Sequence, residues 1–308
     1  MRIVLAAVCV VGCAATSTAK STATRTPTPT ATPTANPTAT ANGGKRLSQR
    51  ELLARGDSAW ARKEEPGALD DAIRYWEEAA QQPPVPVDAR VAAARARRLR
   101  FERAGTASDA LHETSRDAGA CADDARKAFT TLEPEAAAML AAGRPLPEAL
   151  ARSGSRSAEA LYLEAACTAA WARAQGYTPL IERREELKQK LARVAELAPD
   201  LDEAGAEREL GKLYAALPAY AGGDLGAARA HFEAALARVP SSARTRIVFA
   251  RTVGVKAQDR ALFEAQLQAA SSAADESLAA EAKELLARED ELFGPAEAAQ
   301  PIPGGPVR

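Results

Sequence analysis

From Lys45 onward, apolar residues recur at steps of three and four, the spacing that lines side chains along one helix face. Four stretches share a stricter pattern: Ala72, Trp76, Ala79 and Pro84; Ala122, Arg126, Phe129 and Pro134; Leu187, Leu191, Val194 and Pro199; Ala228, Phe232, Ala235 and Pro240. Each set steps by 4, 3 and 5. The first three members share a face and the proline closes the helix. The periodicity predicts about eleven helices, over 47–63, 68–82, 87–104, 107–131, 156–175, 179–197, 202–217, 224–238, 242–256, 259–272 and 275–292. Two insertions read as loops from their Gly, Pro and Ser content, GRPLPEALARSGSRS at 143–157 and PAYAGG at 218–223. Strand-like runs are nearly absent, so the expected fold is all-α.

Small, large, small and a closing proline is the second-helix half of the tetratricopeptide pattern. The first-helix half is clear once, at Leu210, Gly211 and Tyr214, and Gly56 is a weaker match. The prolines lie 50, 65 and 41 residues apart, against a standard repeat of about 34. The expectation is an irregular tetratricopeptide-like solenoid of helix pairs, each burying its apolar face on the next.

Composition agrees. About a quarter of the 308 residues are alanine, the best helix former, and aromatics are only 5%. The formal net charge of -1 argues against a general attraction to nucleic acid. No apolar run reaches the roughly 20 residues of a membrane span.

The first 44 residues read differently. Residues 1–12, MRIVLAAVCVVG, look like a secretory signal peptide. Val10-Val11-Gly12-Cys13 resembles a bacterial lipobox, which makes Cys13 the lipidated N-terminus of the mature chain; an ordinary signal with a chance cysteine is the alternative. Residues 13–44 are a Thr/Pro-rich tether that lacks the apolar bulk to fold, with a reach of at most roughly 95 Å. The helical repeat domain is expected over 45–293, followed by a disordered tail at 294–308. Ala14 lacks the acidic character linked to inner-membrane retention, which leans the anchor slightly towards the outer membrane.

Candidate chemistry is sparse. Lys256, Asp259 and Arg260 lie close in GVKAQDRALF, yet Asp259 reads first as a helix N-cap, with Lys256 and Arg260 solvated or paired. Arg90, Arg95, Arg97, Arg98, Arg100 and Arg103 crowd one helix but point nearly all round it, unlike a docking stripe; Glu102 and Asp109 are neighbours able to neutralise some of them. Cys121 and Cys167 fit either a disulfide in an oxidising compartment or two small buried side chains. His112 and His231 are isolated, and no metal framework, cofactor motif or nucleophile–base set is legible. Trp60, Trp76, Trp171, Tyr162, Tyr214 and Tyr220 read as core packing before an apolar groove.

Residues 210–267 carry the most specific signal. Gly222, Gly223, Asp224 and Leu225 form a turn, Ala228 and Phe232 follow at repeat spacing, and Gln258, Asp259, Arg260 and Phe263 complete a Gln-Asp-Arg-x-x-Phe order. This resembles the TatT family, the T components associated with tripartite ATP-independent periplasmic (TRAP) transporters. The resemblance implies an all-helical periplasmic protein and a homotrimer with a central opening; with no convergent nucleophile, base or metal set in the sequence, the expected role is non-enzymatic. It also implies a solute-binding P component as partner, for an apolar or organic-acid ligand, and structural or interface roles for the signature residues. A general tetratricopeptide scaffold in envelope assembly is the rival reading.

Overall fold

The computed structural model describes residues 46–104 and 110–294. Cys9, Cys13, the tether, Asp109, the side chain of His112 and the tail from residue 295 lie outside the described residues. Fourteen α-helices and no strand occur among them: α1 (Gln49–Ala61), α2 (Ala68–Ala80), α3 (Val87–Ala104), α4 (Ala110–Leu132), α5 (Pro134–Ala141), α6 (Leu146–Leu150), α7 (Ala158–Gln175), α8 (Tyr177–Leu197), α9 (Gly205–Ala216), α10 (Leu225–Arg238), α11 (Ala243–Phe249), α12 (Arg260–Ala270), α13 (Glu276–Ala287) and α14 (Glu289–Phe293). The all-α expectation holds.

Local chemistry sets the starts. Ser48 and Glu51 close a capping box on α1, with the Glu51 N–H donating to Ser48 Oγ and the Ser48 N–H to Glu51. Asp224, Ser242, Asp259 and Asp275 cap α10, α11, α12 and α13 with their side chains.

The stepped sets form the cores of the helix pairs. Ala72, Trp76 and Ala79, then Leu187, Leu191 and Val194, then Ala228, Phe232 and Ala235 are all buried. In the second set Ala122 and Phe129 are buried while Arg126 reaches outward, its Nε 3.0 Å from Glu164. Each helix packs chiefly on its neighbours in sequence, except that α4 packs on α7 across the inserted α5 and α6. Helix α7, ALYLEAACTAAWARA at its heart, is buried nearly all round. It contacts α3, α4, α8 and α9, and alanine lets those backbones come close.

The expected loop at 143–157 is partly helical, and α5 and α6 were not expected. Pro134 and Pro147 sit in the first turns of these helices. A proline that ends one helix also starts the next, since its missing N–H would be unpaired there anyway. The third additional helix comes from a break at Arg288, where the expected 275–292 helix divides into α13 and α14.

Close packing makes one glycine pair informative. A Cβ on Gly211 would lie 2.9 Å from Phe232, whereas one on Gly119 meets Trp171 only at an ordinary 3.4 Å. Gly211→Ala is expected to destabilise by about 1–3 kcal/mol through overpacking. Gly119→Ala is expected to stabilise by about 0.5–1 kcal/mol through helix propensity. Urea unfolding of the two variants checks the opposite signs.

Candidate functional site

The arginines of α3 go to several different neighbours, with Asp124 shared by Arg90 and Arg97. Arg95 pairs with Glu159 at 2.5 Å, Arg97 with Asp124 at 2.5 Å and also with Glu77, and Arg100 with Asp117 at 2.6 Å. Arg103 pairs with Glu64 at 2.6 Å and Arg90 with Asp124 at 3.5 Å. Their all-round directions thus serve contacts with α2, α4 and α7, and a docking stripe is not formed.

Arg98 alone points into the centre. It meets Asp202 and Glu102, both at 2.9 Å, and Glu209 at 3.5 Å. Asp202 Oδ2 also accepts from Tyr162 Oη at 2.6 Å and Arg208 Nη2 at 2.5 Å. Burial alone would raise the Asp202 carboxyl, but the Arg98 and Arg208 charges hold it well below the carboxylate range.

Beside this network lies a cavity of about 410 Å³. Arg98, Phe101 and Glu102 of α3, Thr114 of α4, Arg173 of α7, and Glu209 and Lys212 of α9 line it. Arg251 joins them from a π-helical turn at Ala250–Gly254; such turns recur at functional sites. Lys212 Nζ bonds Glu209 Oε1 at 2.8 Å, and Arg251 pairs with Glu281 at 2.9 Å. Arg173 forms no ion pair among the described residues. Its Nη1 is shut from solvent without a hydrogen-bond partner, as are Thr114 Oγ1 and Glu209 Oε2. Burial lowers the Arg173 guanidinium, against the pull of Glu209 and Glu102. It lowers the Lys212 ammonium too, although Glu209 opposes that. Arg173 also lines a second cavity of about 340 Å³ with Gly176, Tyr177, Leu180, Ala216 and Lys256.

Burial alone would raise the Glu209 carboxyl, yet Lys212, Arg98 and Arg173 outweigh it and hold it at about 2. A carboxylate depressed from its ordinary 4.5 contributes stability above that pH and loses it as pH falls towards 2. Between pH 6 and pH 3 the expected loss from this group is about 2 kcal/mol. Urea unfolding across that range should give a shallower slope for Glu209→Gln than for the wild type.

The signature residues fall elsewhere and build two helix junctions. Gly222 is left-handed, at φ 88°, and a Cβ on Gly223 would strike the Leu217 carbonyl at 1.9 Å. Asp224 accepts from the N–H groups of Gly226 at 2.7 Å and Ala227 at 3.0 Å. Phe232 is buried and stacked on Phe249 at 5.1 Å. Gln258 takes φ 54° before Asp259, which caps α12 through the Leu262 N–H and pairs with Arg229 at 2.6 Å. Arg260 reaches Glu289 at 2.9 Å, and Phe263 is buried against Phe293. None of these eight residues lines the cavity. Lys256 lines only the smaller one, where its Nζ donates to the Ala215 carbonyl at 2.5 Å.

Cys121 and Cys167 are joined, with Cα atoms 6.0 Å apart, and tie α4 to α7. His231 meets Glu207 at 2.7 Å and stacks on Tyr214. Trp76 and Tyr162 are core residues, whereas Tyr220 is 86% exposed. Among the described residues no cluster suits a metal ion, and no helix is long and apolar enough to cross a membrane.

These features define an all-α protein of consecutively packed helices with an open cleft that carries several charged side chains. The chain belongs to the TRAP transporter T-component family, whose family model matches residues 87–293. The match takes in about two thirds of the chain and every residue of the larger cavity's wall. It bears out the resemblance drawn from residues 210–267. No curated protein matches the chain.

Proposed function

We propose that the protein is a periplasm-facing lipoprotein, anchored through Cys13, that binds the solute-binding P component of a TRAP transporter and assists solute uptake or transfer. The observation that carries this reading is the T-component match over residues 87–293. On this reading the protein acts by presenting a preformed helical surface, performs no covalent chemistry, and assembles as a homotrimer with a central opening. The Thr/Pro tether lets the helical body stand off the membrane, the outer one by preference. The tetratricopeptide-like pairing of helices supports a role in partner binding, since such arrays offer extended surfaces.

Light scattering of residues 45–308 tests the assembly. A trimer is the expected result. A clean monomer would favour a general scaffold in envelope assembly.

A further inference from the structure

We propose that α14 is a latch gated by pH, closed on α12 through Arg260 and Phe263 while Glu264 and Glu289 share a proton, and loosened once both carboxyls are charged. The latch goes beyond the transport reading and needs no part of it.

The first support is a weakly held element behind a hinge. The chain breaks at Arg288 between α13 and α14. Helix α14 has five residues, none of them buried, and a helix that short does not keep its shape without outside contacts. Two residues of α12 hold it. Arg260 Nη1 lies 2.9 Å from Glu289 and 3.5 Å from Asp290, and its Nη2 donates to the Gly294 carbonyl. The guanidinium also covers the Phe293 ring at 5.5 Å, and Phe263 meets that ring at 5.1 Å. Arg260 and Phe263 are both signature residues, so two of the eight serve this one element.

The second support is the charge at the closure. Glu264 of α12 and Glu289 of α14 are joined by a hydrogen bond, which two charged carboxylates cannot form, since neither has a donor. One proton between them closes the pair. Without it, Glu264, Glu289 and Asp290 face the single Arg260 guanidinium. Arg288, at the hinge, is engaged by Glu291 at 2.9 Å with Glu284 nearby, so it does not make up the deficit. Glu289 Oε1, though 2.9 Å from Arg260, is shut from solvent without a well-directed hydrogen bond. A full negative charge there is costly.

The third support is the direction of titration. Burial raises the Glu289 carboxyl, the Glu264 hydrogen bond and charge add to this, and Arg260 only partly opposes it. A carboxyl held above its ordinary value favours the closed form at low pH, and that preference is lost as pH rises through the raised value. Opening lifts Phe293 from Phe263 and bares part of the apolar cluster of α11, α12 and α13 on which Phe293 packs.

Hydrogen exchange of the full chain at pH 5 and pH 8, corrected for the intrinsic effect of pH, tests the latch. Protection of the Arg288–Gly294 segment is expected to fall at least about 3-fold from pH 5 to pH 8, while that of α10 stays level. Glu264→Gln and Glu289→Gln each put an amide donor where the proton was, so each should keep the segment protected at pH 8. A contact of packing alone would give the same protection at both pH values in all three proteins. Wild-type protection that does not change with pH, a loss shared equally by α10, or a pH dependence retained in either glutamine variant would overturn the proposal.

Discussion

Asp202→Ala is expected to destabilise the folded body by about 3–5 kcal/mol, the cost of stranding buried charge. Asp202 Oδ2 takes donors from Arg98 at 2.9 Å, Tyr162 at 2.6 Å and Arg208 at 2.5 Å. Arg208 is 1% exposed and has no other carboxylate at salt-bridge distance among the described residues. Its Nη1 donates instead to the Asp202 and Glu203 carbonyls at 3.0 and 3.2 Å. Those carbonyls belong to a run of left-handed residues, Asp202, Glu203 and Ala204, at φ 51°, 56° and 57°. Each such residue costs roughly 1–2 kcal/mol, and Arg208 is one of the contacts that hold the turn into α9. Removing the carboxylate strands the buried Arg208 guanidinium and takes one of three carboxylates from Arg98, which keeps Glu102 and Glu209. Arg208→Met should cost less, because Asp202 keeps Arg98 and Tyr162 and the methionine fills the space. Urea unfolding of the two variants gives the ranking, and equal stability of Asp202→Ala and wild type would contradict it.

Loss of the Cys121–Cys167 bond has the second largest expected effect. The bond closes a 46-residue separation between α4 and α7, and the chain-entropy relation puts its contribution at about 4 kcal/mol. Cys121→Ala with Cys167→Ala is therefore expected to lower stability by about 2–4 kcal/mol, or the melting temperature by roughly 5–15 °C. Alanine is the right replacement because both sulfurs are fully buried among apolar neighbours. The control is redox: wild type unfolded in reductant should approach the double variant, while the variant should be indifferent to reductant. Identical wild-type curves with and without reductant would contradict the effect.

Much of the fold was legible because its signals are local. The 4, 3, 5 stepping marked the buried faces of α2, α8 and α10, and Asp259 read correctly as a cap. The misreading at 134–150 came from treating proline only as a stop. The cavity was not legible, for a physical reason. Its wall comes from α3, α4, α7, α9 and a π-helical turn, so no local window contains it. Glu209 looks like an ordinary solvated helix residue until packing buries it. One signal was available: Glu209 and Lys212 sit one turn apart beside Leu210 and Leu213, charges placed next to an apolar face. The GVKAQDRALF stretch shows the converse. Its charges looked like chemistry, yet Asp259 closes a helix end, held below its ordinary carboxyl value by the Leu262 N–H and then by Arg229. Arg260 binds Glu289 and stacks on Phe293.

Membership in the T-component family makes partnership the central question. Affinity capture of the full-length protein from solubilised membranes, with identification of what co-purifies, tests it most directly. Recovery of a TRAP-type solute-binding protein is the expected result. Repeated recovery of envelope-assembly proteins without it would contradict the proposed partnership.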